Sequence, residues 1–187
     1  MSGYSIKRFP ESFRITAKNN LSNISKKDLK MSIKFAEDVF LHIPVPFETS
    51  LPSINKMYNH YNLGIITAGE ESVQGYKLEH FGNDHLFHDA VITIRKTAEI
   101  FEDFCCRNLV DINNSFMIGD SLGSDIRPAD SIGLNTILIS ETDYSSDTIH
   151  DSHLSENDIP KNTIVKRNLL EAWEHIYENH VEIRKIV

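Results

Sequence analysis

Four short apolar runs, separated by stretches of helical pattern, constrain this chain more than any other feature: residues 63–67, 90–94, 115–118 and 136–139. Each is apolar at consecutive positions rather than at alternate ones, and is rich in β-branched residues. That is the pattern of a strand covered on both faces, and strands alternating with helices join in parallel. The intervening segments 70–80 and 97–109 are helical in pattern, the second placing Ala98, Phe101 and Cys105 on one face. A further helix over 125–132 stops at Gly133, and residues 163–165 form a last short strand before a helix over 169–177. The predicted fold class is therefore α/β, a doubly wound parallel sheet.

The first third of the chain is different. Residues 26–41 carry Leu29, Ile33, Ala36, Val39 and Phe40 at helical spacing, and Pro44 and Pro46 then force an extended connection. The next helix starts after Thr49 or Ser50, with Pro52 in its first turn. Two regions are expected: a helical segment over 1–45 and an α/β core over 46–187.

Charge and composition remove several classes of function. No stretch reaches the ~18 apolar residues of a membrane span, and the N-terminus has no apolar core of the kind a secretory signal needs. The two cysteines, Cys105 and Cys106, are adjacent and imply no disulfide framework, so the cytoplasm is the expected compartment. A net charge of −8 leaves no basic face for nucleic acid. The same charge repels phosphorylated ligands at long range, so a phosphate site here needs a local cation, either a side chain or a bound metal.

Ligands of parallel sheets bind at the carboxyl ends of the strands. There the chain offers Thr67-Ala68-Gly69 after the first run, Arg95-Lys96 after the second, and Gly119-Asp120-Ser121 continuing to Asp125 after the third. Thr67 supplies a hydroxyl before a helix N-terminus, or else merely caps a turn. Lys96 supplies a fixed positive charge, or else is a solvated residue at a helix start; Arg95 competes for the role. Asp120 and Asp125 are the pair a magnesium ion wants, since Mg2+ takes one or two carboxylates together with water and substrate phosphate. The plainer alternative is a loop with two solvated aspartates.

These residues resemble the motifs of the haloacid-dehalogenase-like (HAD) superfamily of hydrolases. Leu63 to Gly69 looks like motif II, Ile94-Arg95-Lys96-Thr97 like the motif III lysine, and Met117-Ile118-Gly119-Asp120-Ser121 with Asp125 like motif IV. The resemblance implies a HAD-like Rossmannoid core with a partial helical cap at 1–45, and Mg2+-dependent hydrolysis of a small phosphorylated metabolite through an aspartyl-phosphate. It assigns phosphate binding to Thr67, the Ala68 amide and Lys96, catalytic positioning to Lys96, and metal binding to Asp120 with Asp125 in support. Family members carry the nucleophile in an N-terminal Asp-x-Asp strand that lies between the motif II and motif IV strands. No Asp-x-Asp precedes Thr67 here, and residues 4–9, a candidate edge segment, lack the aspartates. The expectation is a truncated chain, inactive or nearly so, missing its central strand. A domain that only binds phosphate and magnesium, or a protein partner, is the alternative.

Two other patterns are weighed and set aside. Gly119-Asp120-Ser121-Leu122 spells the GDSL esterase motif, with Asp147 and His150 as its partners, but the spacing is too short for that fold. His80, His85 and His88 flank Gly82 and read as loop residues rather than metal ligands. Trp173 and Tyr177, four apart, are expected to pack the last helix onto the sheet.

Overall fold

The computed structural model describes residues 6–21, 23–43, 45–140 and 158–179. In chain order its elements are α1 (Arg8–Asn20), α2 (Lys26–Leu41), α3 (Ser50–Tyr58), β1 (Gly64–Ala68), α4 (Glu71–Phe81), β2 (Asp89–Thr93), α5 (Ala98–Arg107), β3 (Phe116–Gly119), α6 (Arg127–Ser131), β4 (Asn135–Ile139), β5 (Ile164–Lys166) and α7 (Leu169–Asn179). A π-helical turn, Leu122–Ile126, leads into α6.

By internal contacts the chain divides into two units. One comprises residues 1–45, 67–85 and 92–94; the other comprises 46–66, 86–91 and 95–187.

In the first unit α1 and α2 form a helical hairpin. Ser25 caps α2 by accepting the Asp28 amide at 3.1 Å, a bond that satisfies one of the orphan donors of a helix start. The ring of Phe9 meets Phe40 edge-on at 5.8 Å and so fastens one helix to the other. The extended stand-in considered at 4–9 does not form in its described part, because Arg8 and Phe9 already belong to α1. Residues 4 and 5 lie outside the described residues.

In the second unit β3, β4 and β5 form a parallel sheet in that order, with Ile118 opposite Ile137 and Leu138 opposite Val165. β4 is the central strand and the most deeply buried. Ile137 packs on Ala172 and Ile176 of α7, while Leu138 packs on Leu122 and Ile126 of the π-helical turn. Helical structure therefore covers both faces, as expected of a doubly wound sheet. β3 obeys the same alternation: Met117 joins the cluster of Phe101, Cys105, Ala129 and Leu134, and Ile118 joins the α7 side. Each large apolar side chain so buried contributes about 1.5–3 kcal/mol. Thr136, almost fully buried, shares a hydrogen bond of 2.8 Å with the Thr163 hydroxyl just before β5.

β1 and β2 form a separate two-stranded sheet. Among the described residues no strand joins β1 to β3, so the sheet anticipated from the sequence is present in two pieces. Across α7 the packing differs from expectation. Ala172 and Ile176 face the sheet, whereas Trp173 turns about 100° further round the helix. There its ring stacks on His60 at 5.3 Å and meets Tyr61 edge-on at 6.2 Å, tying α7 to the end of α3.

Candidate active site

The turn that follows β3 is organised by one serine and one aspartate. Ser121 accepts the Ser124 amide on its hydroxyl at 3.2 Å, and its carbonyl accepts the amides of Asp125 at 2.8 Å and Ile126 at 3.2 Å. The bond to Ile126 spans five residues and widens the turn to π-helical geometry, a form frequent at functional sites. The widened turn carries Asp125 back over the end of the strand, where one carboxylate oxygen accepts the Ser121 amide at 3.1 Å. Gly119 makes this approach possible, because a Cβ there would overlap the Asp125 carboxylate.

Asp125 is 3% exposed, and a buried carboxylate demands a partner. The partner is Lys96, whose ammonium donates to the other carboxylate oxygen at 2.5 Å with its own side chain 15% exposed. Lys96 reaches it from the link between β2 and α5. Arg95, the rival cation, is exposed. Asp120 stands at the tip of β3 with its side chain in solvent and lines the same cavity as Lys96 and Asp125. With Lys96 and Asp125 neutralising each other, Asp120 leaves this end of the strand with one net negative charge.

Thr67 and Ala68 belong to the other unit. Thr67 is the next-to-last residue of β1, and its hydroxyl donates to the Gln74 side-chain carbonyl at 3.4 Å, a long and weak bond. Ala68 is exposed. Gly69 follows with φ +153°, in a conformation that excludes a Cβ, and spends its amide on the Thr93 carbonyl at 2.8 Å. Its N–H is therefore not available to a phosphate. Glu70 and Glu71 sit at the start of α4 and set negative charge where an anion would bind.

A metal ion at Asp120 and Asp125 is compatible with this donor set in a specific way. Asp120 is solvent-facing and can ligate directly, while both oxygens of Asp125 already accept hydrogen bonds, so it fits a water-mediated or supporting position. Among the described residues no three His, Cys, Asp or Glu side chains converge as a metal cluster, so water and phosphate would have to supply the remaining ligands.

Ser121 and Gln74 were not singled out from sequence for these roles. A serine opening a helical turn is a signal for the first; nothing in the sequence marks the second. The esterase alternative has no support from Ser121, whose hydroxyl is engaged in capping; Asp147 and His150 lie outside the described residues. The rings of His80 and Tyr76 stack at 4.0 Å, and a His80 ring nitrogen lies 2.8 Å from the Tyr76 carbonyl, which accounts for this histidine structurally. Burial pushes the Cys105 thiol up, with a further push from its neighbour Cys106. No helix among the described residues is long and apolar enough to cross a membrane.

Residues 93–172 match the HAD-hydrolase-like family. A glyceraldehyde 3-phosphate phosphatase from Methanopyrus kandleri is 29% identical over 105 residues, which is 53% of this chain and 45% of that protein. The chain thus spans less than half the length of that curated relative. Among solved structures, a haloacid dehalogenase-like family hydrolase from Xanthomonas campestris superposes with a TM-score of 0.75 at 17% identity, covering 96% of this chain and 75% of the other. A HAD phosphatase from Thermococcus onnurineus gives 0.60 at 18% identity, with 91% and 89% covered. The HAD-hydrolase YfnB from Bacillus subtilis, solved bound to magnesium, gives 0.58 at 15% identity, with 100% and 85% covered. At these identities the structural likenesses establish the fold.

Proposed function

We propose that this chain, whose fold and motifs are those of HAD-like hydrolases, is the magnesium- and phosphate-binding part of a cytoplasmic phosphohydrolase acting on a small phosphorylated metabolite. One observation carries the reading: a solvent-facing carboxylate, Asp120, stands at the carboxyl end of β3 beside a buried carboxylate, Asp125, that Lys96 neutralises at 2.5 Å. Hydrogen bonds of Asp125 and Ser121 order the turn that follows Asp120 at the strand tip. Mg2+ bound there would offset the negative charge of an incoming phosphate and orient it for in-line attack. Lys96, its charge balanced by Asp125, would offer its remaining N–H donors to that phosphate. In this reading residues 1–45 are part of a helical cap.

No Asp-x-Asp occurs before Thr67 in these 187 residues. Loss of a covalent nucleophile costs on the order of 10⁶ in rate in a well-studied protease. The expectation is a chain that binds magnesium and phosphate but hydrolyses phosphate monoesters very slowly. That same absence favours the second reading, a domain that binds without turnover. Calorimetric titration with MgCl2 tests the site: parent protein should bind one ion, Asp120→Asn should lose it, and Asp125→Asn should weaken it. Equal magnesium binding by the Asp120→Asn protein would refute the assignment. A phosphatase assay on the parent chain separates the two readings, since brisk turnover excludes the binding-only one.

A further inference from the structure

One side of α2 carries an apolar stripe. Met31, Phe35 and Val39 are 51%, 66% and 62% exposed, and each follows the last by four residues. At about 100° per residue they fall within about 80° of one another around the helix. A different side of α2 is the packed one, where Ala36 is buried and Leu29, Ile33 and Phe40 are half-buried. Single exposed apolar residues are ordinary on a protein surface, whereas a contiguous row of them marks a contact face.

The charges on α2 are sorted along its length. Lys26, Lys27, Lys30 and Lys34 lie in the first part with one acid, Asp28, and Glu37 and Asp38 are the charged residues beyond. The helix itself gains nothing from this order, because its dipole favours acids at the start and bases at the end. Within the helix Lys34 pairs with Asp38 at 3.2 Å, both side chains being largely exposed, and a surface pair of that kind contributes little. A helix laid along the stripe in the opposite direction, with the same order of charges, does benefit: its acids meet the lysines and its lysines meet the acids. α2 of a second copy has that order. A parallel copy would set like charges side by side.

We propose that two copies of this chain associate through α2, antiparallel, about a two-fold axis that passes beside Phe35. Phe35 of one copy then meets Phe35 of the other, and Met31 meets Val39. Lys34 and Asp38 flank the stripe on the same side, so Lys34 of each copy approaches Asp38 of the other. The contact is isologous and closes on itself, which limits assembly to a dimer. Rows of residues four apart interdigitate in the commonest mode of helix packing, and these three residues form such a row. The stripe is short, so the dimer is weak and exchanges with monomer. The inference uses α2 alone and needs neither metal nor phosphate, so it stands or falls apart from the proposed function.

The test is sedimentation velocity on the full 187-residue chain from low micromolar to near-millimolar concentration. A dimer should grow with concentration, and Phe35→Asp should raise its dissociation constant about thirtyfold or more. The circular-dichroism spectrum of that variant should match the parent, because the replaced side chain is exposed. Disulfide trapping reads the register, in a Cys106→Ser background that removes the exposed native thiol. Phe35→Cys should cross-link to itself; Met31→Cys and Val39→Cys should cross-link to each other when mixed, and far less when each is alone. Monomer at every concentration would overturn the inference, and a monomer that pelleted with phosphatidylserine vesicles would give the stripe to a membrane surface instead. A dimer indifferent to Phe35→Asp would place the interface elsewhere. Self-linking of Met31→Cys as efficient as the mixed pair would also overturn it, since that is the mark of a parallel or unspecific contact.

Discussion

Lys96→Met strands the Asp125 carboxylate in the protein interior, and the size of the effect follows from the geometry. At 2.5 Å and an effective dielectric constant of about 20, the bare attraction between unit charges is roughly 6–7 kcal/mol. Desolvation of both groups offsets much of that, so the pair's net worth is far smaller. Removing one partner of a buried pair nevertheless costs about 3–5 kcal/mol, because the other charge stays buried. The Lys96 side chain keeps 15% of its surface in water, which places the expected loss at the low end, about 3 kcal/mol. Asp125→Asn should cost only about 1–2 kcal/mol, since the shape is preserved and the freed ammonium can reach solvent. The double variant should then lose about 2 kcal/mol in total, some 2–3 less than the sum of the singles. Urea unfolding followed by far-ultraviolet circular dichroism measures all four corners of the cycle. If the single losses add to within about 0.5 kcal/mol, or if Asp125→Asn is the more damaging change, the charges are not coupled as described.

Three further outcomes are expected. Asp89 is held below its ordinary carboxylate pKa, first by the Asn108 amide and then by the Arg107 guanidinium. Because its native value is depressed, it stabilises the fold above the unfolded value near 3.8 and loses that effect as pH falls through the native value. The urea midpoint of Asp89→Asn should accordingly lie below that of the parent at pH 7 and converge with it in acid. Gly64→Ala would push a methyl group into the Phe104 ring; a loss of about 1–3 kcal/mol is expected in thermal melts, and Phe104→Leu in the same chain should recover part of it. Supplying an Asp-x-Asp strand ahead of residue 1 should produce magnesium-dependent release of phosphate from p-nitrophenyl phosphate. Asp120→Asn should nearly abolish that activity, whereas full activity in the variant would contradict the role given to Asp120.

The fold was legible where local pattern and tertiary contacts agree. The helix expected over 26–41 matches α2, because unbroken helical spacing and the prolines after it mark it. The β-strands fall within a residue of their apolar runs, since burial on both faces leaves little else for such runs to do. α1 was harder to see: its apolar residues Phe13 and Ile15 are exposed, so no clean stripe betrays it. Helical spacing also suggested one helix over 125–132, where the structure has a π-helical turn followed by α6. That break depends on amides donating to the Ser121 carbonyl and hydroxyl, which a periodicity argument does not register. At the site, residue types were readable but pairings were not. Lys96 drew attention as a partner for phosphate, yet its contact in the folded chain is Asp125, 29 residues away. Equally, the sequence offered Asp120 and Asp125 as a like pair, whereas Asp125 is buried and Asp120 is exposed.

β3 has a bearing on how the protein behaves in a tube. Among the described residues it presents Met117-Ile118 at a sheet edge with no charged residue or proline to interrupt them. Such an edge is a template for unrelated strands. Precipitation should therefore track concentration and temperature well below the main melting transition, and purification at low temperature and low concentration is the practical remedy.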